Sequence, residues 1–399
     1  MYKVYCRVFQ GVMKIVSLFM PWREPELLEG ENSLIKLPEL FKSIKINNVL
    51  IVTDPGIASV GLMGEFLDHL RFEGIEYVVY DKTVPNPTVE NIEEAYQLYI
   101  SNNCMGIVAF GGGSPLDCAK GVGARATRPD KSISQMKGLL KILKKTPPLF
   151  AIPTTAGTGS EATAAAVVSN KKTNEKYVLM DLSLIPHYAV LDPLLIVNLP
   201  KHITATTGID ALTHAVEAYI GKGNTTETKK YSLKAIQLIF ENLYESYSNG
   251  ANIQARKNMQ KAAYLAGMAF TRAYVGNVHA IAHTLGGFYS TPHGLANAVI
   301  LPYVLEYYGE TVHKPLSELA DIVGIVDPTD TTEQKAMKFI EAIKKLNVKM
   351  EIPNKISGIM DADIPVMINR AFKEANPLYP VPKIFSKEDF FHLYQLLRE

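Results

Sequence analysis

The chain has 399 residues, 47% hydrophobic and 20% charged, and 41 Lys and Arg set against 40 Asp and Glu leave a formal net charge of +1. This is the make-up of a folded globular protein rather than a disordered or collagen-like one, and the length asks for two domains. With no basic excess and no dense basic run, the electrostatic footprint of a nucleic-acid binder is missing.

The opening stretch, MYKVYCRVFQGVMKIVSLFM, is apolar enough to suggest export. Arg7, Gln10 and Lys14 interrupt it, however, and no small-residue cleavage site follows. No uninterrupted apolar run approaches the ~20 residues of a bilayer span, so a membrane is not an expected partner. The segment reads as a first strand with a short extension, and Met13 offers an alternative start of translation. Cys6, Cys104 and Cys118 form no CxxC pair, which fits a reducing compartment, the cytoplasm by default, and argues against a disulfide framework.

Up to residue 200, short apolar runs alternate with helix-length amphipathic segments: NNVLIVTD, IEYVVYD, CMGIVAFGGG, PLFAIPTT and YAVLD. Such alternation predicts βα units building a parallel sheet, hence an α/β domain over 1–200. Within it, LIVTDPG leaves Asp54 at a strand end, where a carboxylate can accept both hydroxyls of an adenosine ribose and would repel a 2′-phosphate. In GIVAFGGGSPLDCAKGVG a strand runs into Gly111, Gly112 and Gly113, where a phosphate can approach the backbone. Ser114 as N-cap, Pro115 in the first turn and Asp117 as the end of a capping box then predict a helix whose free N–H groups face that anion. GxGxxG is not met, because Leu116 fills its last position, and a purely structural turn is the alternative. AIPTTAGTGSEAT adds the hydroxyls of Thr154, Thr155 and Thr158 at the next strand end. Ligands of open α/β sheets bind along these carboxyl ends, so the three signals reinforce one another.

Beyond NLPKHITATTGIDALTHAVEAYI the apolar spacing becomes roughly 3.6 and strand-like runs nearly vanish, predicting an all-helical domain over 201–399. KKYSLKAIQLIFENLYESY and KNMQKAAYLAGMAFTRAY read as long helices. In TTGIDALTHAVEAYIG, Asp210 and His214 are spaced i, i+4 and can reach one ion from one helix face, with Gly221 as the stop. His279 and His283 repeat that spacing, and His293 follows a Gly286-Gly287 break from which a loop can bring it in. Three such imidazoles in a chain of nine histidines, with a carboxylate, suit a borderline divalent cation such as Fe(II) or Zn. Glu217, one turn past His214, is a possible fifth ligand, although an exposed place or a supporting one fits better.

GGGSPLDCAKG, PTTAGTGSEAT, GIDALTHAVEAYI and HAIAHTLGGFYSTPHGLANAVILPYV together resemble the iron-containing (group III) alcohol dehydrogenases, in order and at similar separations, from LLEGENSLIKLPEL to SKEDFFHLYQLL. The resemblance implies an active site in a cleft between an α/β nucleotide domain and a helical metal domain, in a homodimer. It implies Asp210, His214, His279 and His293 as metal ligands, and His283, matching a family histidine that is not a ligand, beside the nicotinamide as a proton relay. It likewise implies dinucleotide contacts from Asp54, Asn86, Gly112, Gly113, Ser114, Thr154, Thr155, Thr158 and Lys176, with Asp54 favouring NAD over NADP. A cation that polarises an alcohol O–H and a nicotinamide that takes the hydride make a dehydrogenase, and an aldehyde reductase in reverse. Where the family reads something like FSNAGLGAVHA, this chain reads FTRAYVGNVHA. Phe270 is kept, Tyr274 replaces a glycine and narrows the pocket, Asn277 is unusual, and Arg272 either pairs with an anionic or polyhydroxy substrate or points to solvent or forms an ion pair within the bundle. A small polar alcohol or aldehyde is expected. Two rivals stand: a metal- and NAD-dependent lyase of the dehydroquinate synthase type, and a non-catalytic metal- or nucleotide-binding relative.

Overall fold

A computed structural model of the chain describes residues 1–170 and 175–399. They divide into two compact units, Pro21–Asn198 and Met1–Met20 with Leu199–Glu399. The first element corrects the strand reading of the opening segment: Tyr2–Leu18 is a helix, α1, and it belongs with the C-terminal residues. Polar groups fix it, alongside the buried Cys6 and the stacking of Tyr2 on Phe372. Arg7 donates to the carbonyls of Val381 (2.7 Å) and Pro382 (2.8 Å), and Gln10 to those of Pro377 (3.0 Å) and Tyr379 (2.7 Å). Lys14 donates to Lys222 O at 3.0 Å. Positions 7, 10 and 14 recur at helical spacing, so the residues that interrupt the apolar run share one helix face. The α/β unit therefore begins at residue 21 and not at residue 1.

In that unit the elements are β1 (Glu26–Glu29), α2 (Leu37–Ser43), β2 (Asn48–Val52), α3 (Pro55–Ser59), α4 (Gly64–Phe72), β3 (Glu76–Tyr80), α5 (Val89–Ser101), β4 (Gly106–Gly111), α6 (Gly113–Thr127), β5 (Gly138–Leu139), β6 (Leu149–Pro153), β7 (Ala165–Asn170), β8 (Glu175–Met180) and β9 (Tyr188–Leu191). A parallel sheet runs in the order β1-β9-β6-β4-β2-β3. Its inner strands alternate between two apolar clusters, as a period of two requires when both faces are covered. Leu50, Ile107, Ala109, Leu149 and Ala151 point to one cluster, and Val49, Ile51, Val108, Phe110, Phe150 and Ile152 to the other. The five apolar runs of the sequence are β2, β3, β4, β6 and β9. A smaller sheet, β5-β8-β7, with β7 antiparallel to β8, was not anticipated.

The other unit is helical beyond residue 200: α7 (Lys201–Ile220), α8 (Thr226–Ser248), α9 (Ile253–Ala273), α10 (Asn277–Tyr289), α11 (His293–Tyr308), α12 (Glu310–Ile322), α13 (Thr332–Lys349), α14 (Ile364–Ala375) and α15 (Lys387–Leu397). Helix α7 is buried along nearly its whole length from Gly208 on and packs against α8, α9 and α11. That burial explains why it carries no clean amphipathic stripe, since a helix enclosed on all sides needs none. Among the described residues no helix is long and apolar enough to cross a membrane. Cys6, Cys104 and Cys118 are all buried and unpaired. Burial pushes the Cys104 thiol up to about 11 and the Cys118 thiol up to about 12.

The β6–β9 contact has a pH dependence of its own. His187 Nδ1 accepts the Leu149 N–H at 3.1 Å, and burial, with the nearby charges of Arg23 and Lys145, lowers its pKa from 6.5 to about 4. The unfolded chain, with an ordinary imidazole, takes up the proton first. Stability contributed by neutral His187 is therefore present above about pH 6.5 and is lost as pH falls toward 4, by about 2–3 kcal/mol. Thermal unfolding followed between pH 7 and 4 should show this decline, and His187→Asn, which keeps an acceptor and cannot be protonated there, should flatten it.

Candidate functional site

Four side chains meet inside the helical unit. Asp210 and His214 lie one turn apart on α7, His279 is in the first turn of α10, and His293 opens α11. One ligand atom from each lies within 4.8 Å of all the others. His214 Nε2 and His279 Nε2 are 2.9 Å apart, and His293 Nε2 is 3.6 Å from Asp210 Oδ1. Asp210, His214 and His279 are buried, whereas the His293 side chain keeps 32% of its exposure, so access to the cluster is on the His293 side. Burial lowers the His214 pKa to about 3 and that of His279 well below its usual value, while it raises that of Asp210. Neutral imidazoles are the metal-binding form, and a buried carboxylate without a cation is costly. Three nitrogens and one carboxylate oxygen converging in this way fit a borderline divalent cation.

His293 corrects the loop reading. Helix α10 continues through Gly286 and Gly287 to Tyr289, and His293 is the first residue of α11. Glu217 is likewise not exposed: its side chain is buried and accepts the N–H groups of Gly276 and Val278, both at 2.8 Å, and it lies 2.6 Å from His279 Nδ1. It answers the unpaired donors at the start of α10 and turns His279 Nε2 inward. Burial pushes its carboxyl up to about 7, against the pull of these backbone N–H groups.

Asn297 was not singled out from the sequence. It sits one turn after His293, its Nδ2 2.6 Å from Asp210 Oδ1, 3.1 Å from His279 Nε2 and 3.2 Å from His293 Nε2. The i, i+4 spacing that flagged the other pairs would have found it. Phe270 stacks on His214, ring centroids 4.2 Å apart at 16°. Arg272 forms an ion pair with Glu227, the last of its expected alternatives. Tyr274 caps α9 at φ 65° and ψ 174°, backbone that glycine adopts freely and other residues rarely do. Asn277 is buried as the first residue of α10.

In the α/β unit the chain lays β2 and β3 to one side and then crosses to place β4 on the other side of β2. The carboxyl ends of β2 and β4 flank this reversal, the position at which such sheets bind ligands. Asp54 follows β2 and caps α3, its Oδ1 accepting the Ile57 N–H at 3.0 Å. Its Oδ2 lies 3.3 Å from where a Cβ on Gly111 would be, and a Cβ on Gly113 would lie 2.9 Å from Thr158. A Cβ on Gly112 would meet Thr155 at 3.5 Å, and the Thr154 N–H donates to Gly111 O at 3.0 Å. Ser114 Oγ accepts the Asn86 N–H at 3.1 Å, and Lys176 Nζ donates to Asn86 Oδ1 at 2.7 Å. All nine nucleotide positions expected from the sequence therefore surround one glycine turn.

The capping box is a correction. Helix α6 starts at Gly113 behind Gly112, so Ser114 and Asp117 are already inside it. Asp117 instead accepts Ser160 Oγ (2.8 Å) and the Val167 N–H (3.0 Å). Buried Lys120 donates to Ser160 Oγ (2.9 Å), Thr163 Oγ1 (2.8 Å) and Ala165 O (2.8 Å). Together they fasten residues 160–167, which follow the Thr154–Thr158 loop, to the helix behind the glycine turn.

Two family profiles match this chain. The profile described as "Iron-containing alcohol dehydrogenase" matches residues 25–193, and that described as "Fe-containing alcohol dehydrogenase family, C-terminal" matches 204–397. A 1,3-propanediol dehydrogenase of Citrobacter freundii is 39% identical over 351 residues, 87% of this chain and 90% of that protein. A crystal structure of a 1,3-propanediol oxidoreductase superposes with a TM-score of 0.90 at 36% identity, over 94% of this chain and 99% of the other. Sulfoacetaldehyde reductase from Bifidobacterium kashiwanohense, solved with NAD+, superposes with a TM-score of 0.83 at 26% identity, over 95% and 99%.

The approach of α11 to α7 is a testable constraint. A Cβ on Gly294 would lie 2.6 Å from Thr206 O and 2.9 Å from its carbonyl carbon, backbone atoms that cannot turn aside. Gly294→Ala should push His293 away from Asp210 at a cost of about 1–3 kcal/mol. Elemental analysis should find less metal per chain than in wild type, and full occupancy would refute the constraint.

Proposed function

The chain belongs to the iron-containing alcohol dehydrogenase family, and from that membership we propose that it passes a hydride between a small polar alcohol or aldehyde and NAD(H). The observation that carries this reading is the convergence of Asp210, His214, His279 and His293 within 4.8 Å. These four would hold a divalent cation, iron(II) first and zinc(II) second. When bound, such a cation polarises an alcohol hydroxyl or an aldehyde carbonyl.

The chain's own groups take the remaining tasks. Glu217 fixes the direction of His279, and Phe270 braces the ring of His214. His283, one turn along α10, relays the proton of the hydroxyl. Asp54 takes the adenosine ribose and disfavours NADP. Gly112, Gly113 and Ser114 leave the start of α6 open to the pyrophosphate, with Thr154, Thr155, Thr158, Asn86 and Lys176 around it. With Arg272 engaged by Glu227, selectivity for a small substrate falls to Phe270 and Tyr274. The relatives named as propanediol and alcohol dehydrogenases favour this reading over the lyase. A homodimer, carried by family resemblance, and a cytoplasmic place, suggested by the three unpaired cysteines, complete it.

Absorbance at 340 nm, followed with Fe(II) or Zn(II) across short diols, aldehydes and hydroxy acids, tests the reading. Metal-dependent turnover that prefers NAD to NADP and disappears in His279→Ala is expected. Product formation with no net NADH would point to the lyase, and silence in both directions to a binding protein.

Tyr274 makes a second prediction. Tyr274→Gly relieves the unfavourable backbone, worth about 1–3 kcal/mol, and removes the phenol. Steady-state kinetics should show kcat/KM rising for longer alcohols relative to short ones, and an unchanged ratio would remove Tyr274 from the pocket.

A further inference from the structure

We propose that Glu374 is a positioning residue for His283, holding its ring so that Nε2 faces the reacting oxygen. The proposal rests on the proton-relay reading of His283 given above.

Three observations converge on it. His283 Nδ1 lies 2.6 Å from Glu374 Oε1, near the end of α14. The hydroxyl of buried Tyr379 donates to the same carboxylate oxygen at 2.8 Å. The ring of His283 stacks on His293, centroids 5.2 Å apart at 16°, so the imidazole that Glu374 holds lies against the half-exposed member of the metal cluster. Burial pushes the Glu374 carboxyl up, but the nearness of His283 and the hydrogen bonds from His283 and Tyr379 outweigh it and leave the pKa lowered. A carboxylate can only accept, so Nδ1 carries the proton and Nε2 is the nitrogen left to exchange one with substrate. A carboxylate that orients an imidazole in this way does not itself react.

The hold extends to the first helix. Gln10 donates to the carbonyls of Pro377 and Tyr379, and Arg7 to those of Val381 and Pro382. Helix α1 thus fastens the segment that presents Tyr379 to Glu374, which gives Arg7 and Gln10 a place in the same chain of contacts.

The test uses the full-length, metal-loaded enzyme. Glu374→Ala should lower kcat about 10- to 100-fold, with KM for NAD and metal content unchanged. Glu374→Gln, whose carbonyl oxygen can accept both hydrogen bonds, should recover most of that loss. His283→Ala separates the two claims: if it leaves kcat unchanged, the relay reading fails and the proposal with it. If His283→Ala is impaired while Glu374→Ala stays within twofold of wild type, the relay stands and the positioning role is wrong. A Glu374→Gln variant as impaired as Glu374→Ala also overturns the proposal. Should Glu374→Ala fail to fold, Tyr379→Phe reads the same tie by removing one hydroxyl, with a severalfold fall in kcat supporting it and an unchanged kcat overturning it.

Discussion

One buried carboxylate organises the helical unit. Glu217 accepts two backbone N–H groups at the start of α10 and binds the Nδ1 side of His279, so it serves as a helix cap and as the brace of a metal-binding imidazole at once. Its place on α7, two turns after Asp210 and one after His214, means that a single helix supplies two of the four converging groups and the orientation of a third. Gly276 admits it, since a Cβ there would lie 2.6 Å from Glu217 Oε1. Losing this carboxylate would orphan the N–H groups of Gly276 and Val278 and free the His279 ring together.

The two candidate sites are built on a common plan, in which glycine permits an approach and buried polar groups hold it. In the helical unit Gly294 lets α11 touch the α7 backbone, and Asn297 bridges from α11 to Asp210. In the α/β unit Gly111 and Gly113 leave room for Asp54 and Thr158, and Lys120 ties the helix behind them to the neighbouring loop. Neither arrangement relies on exposed ion pairs, whose contribution is small and screened by salt. The hydrogen bonds that matter here are mostly enclosed, where a lost partner is expensive.

What could be read from the sequence was whatever depends on short-range spacing. The strands β2, β3, β4, β6 and β9 stand out as apolar runs, and Asp210, His214 and His279 as i, i+4 patterns, because both periodicities act over a single turn or pleat. The helix α1 was misread because its fixing partners lie more than 200 residues away, at Lys222 and Pro377–Pro382. Glu374 and Tyr379 escaped for the same reason, 91 and 96 positions beyond His283. The capping box at Ser114 failed because Gly112, with no side-chain bond of its own, starts the helix earlier and leaves Asp117 to tertiary partners. Local propensity proposes a boundary, and a distant hydrogen bond moves it.

The cysteines decide how such a protein would age. The thiolate is the form that reacts with alkylating agents and peroxide. With Cys104 and Cys118 buried and their thiols pushed to about 11 and about 12, almost none of it exists near neutrality. Activity lost on standing in air would then have its cause elsewhere than at these two sulfurs.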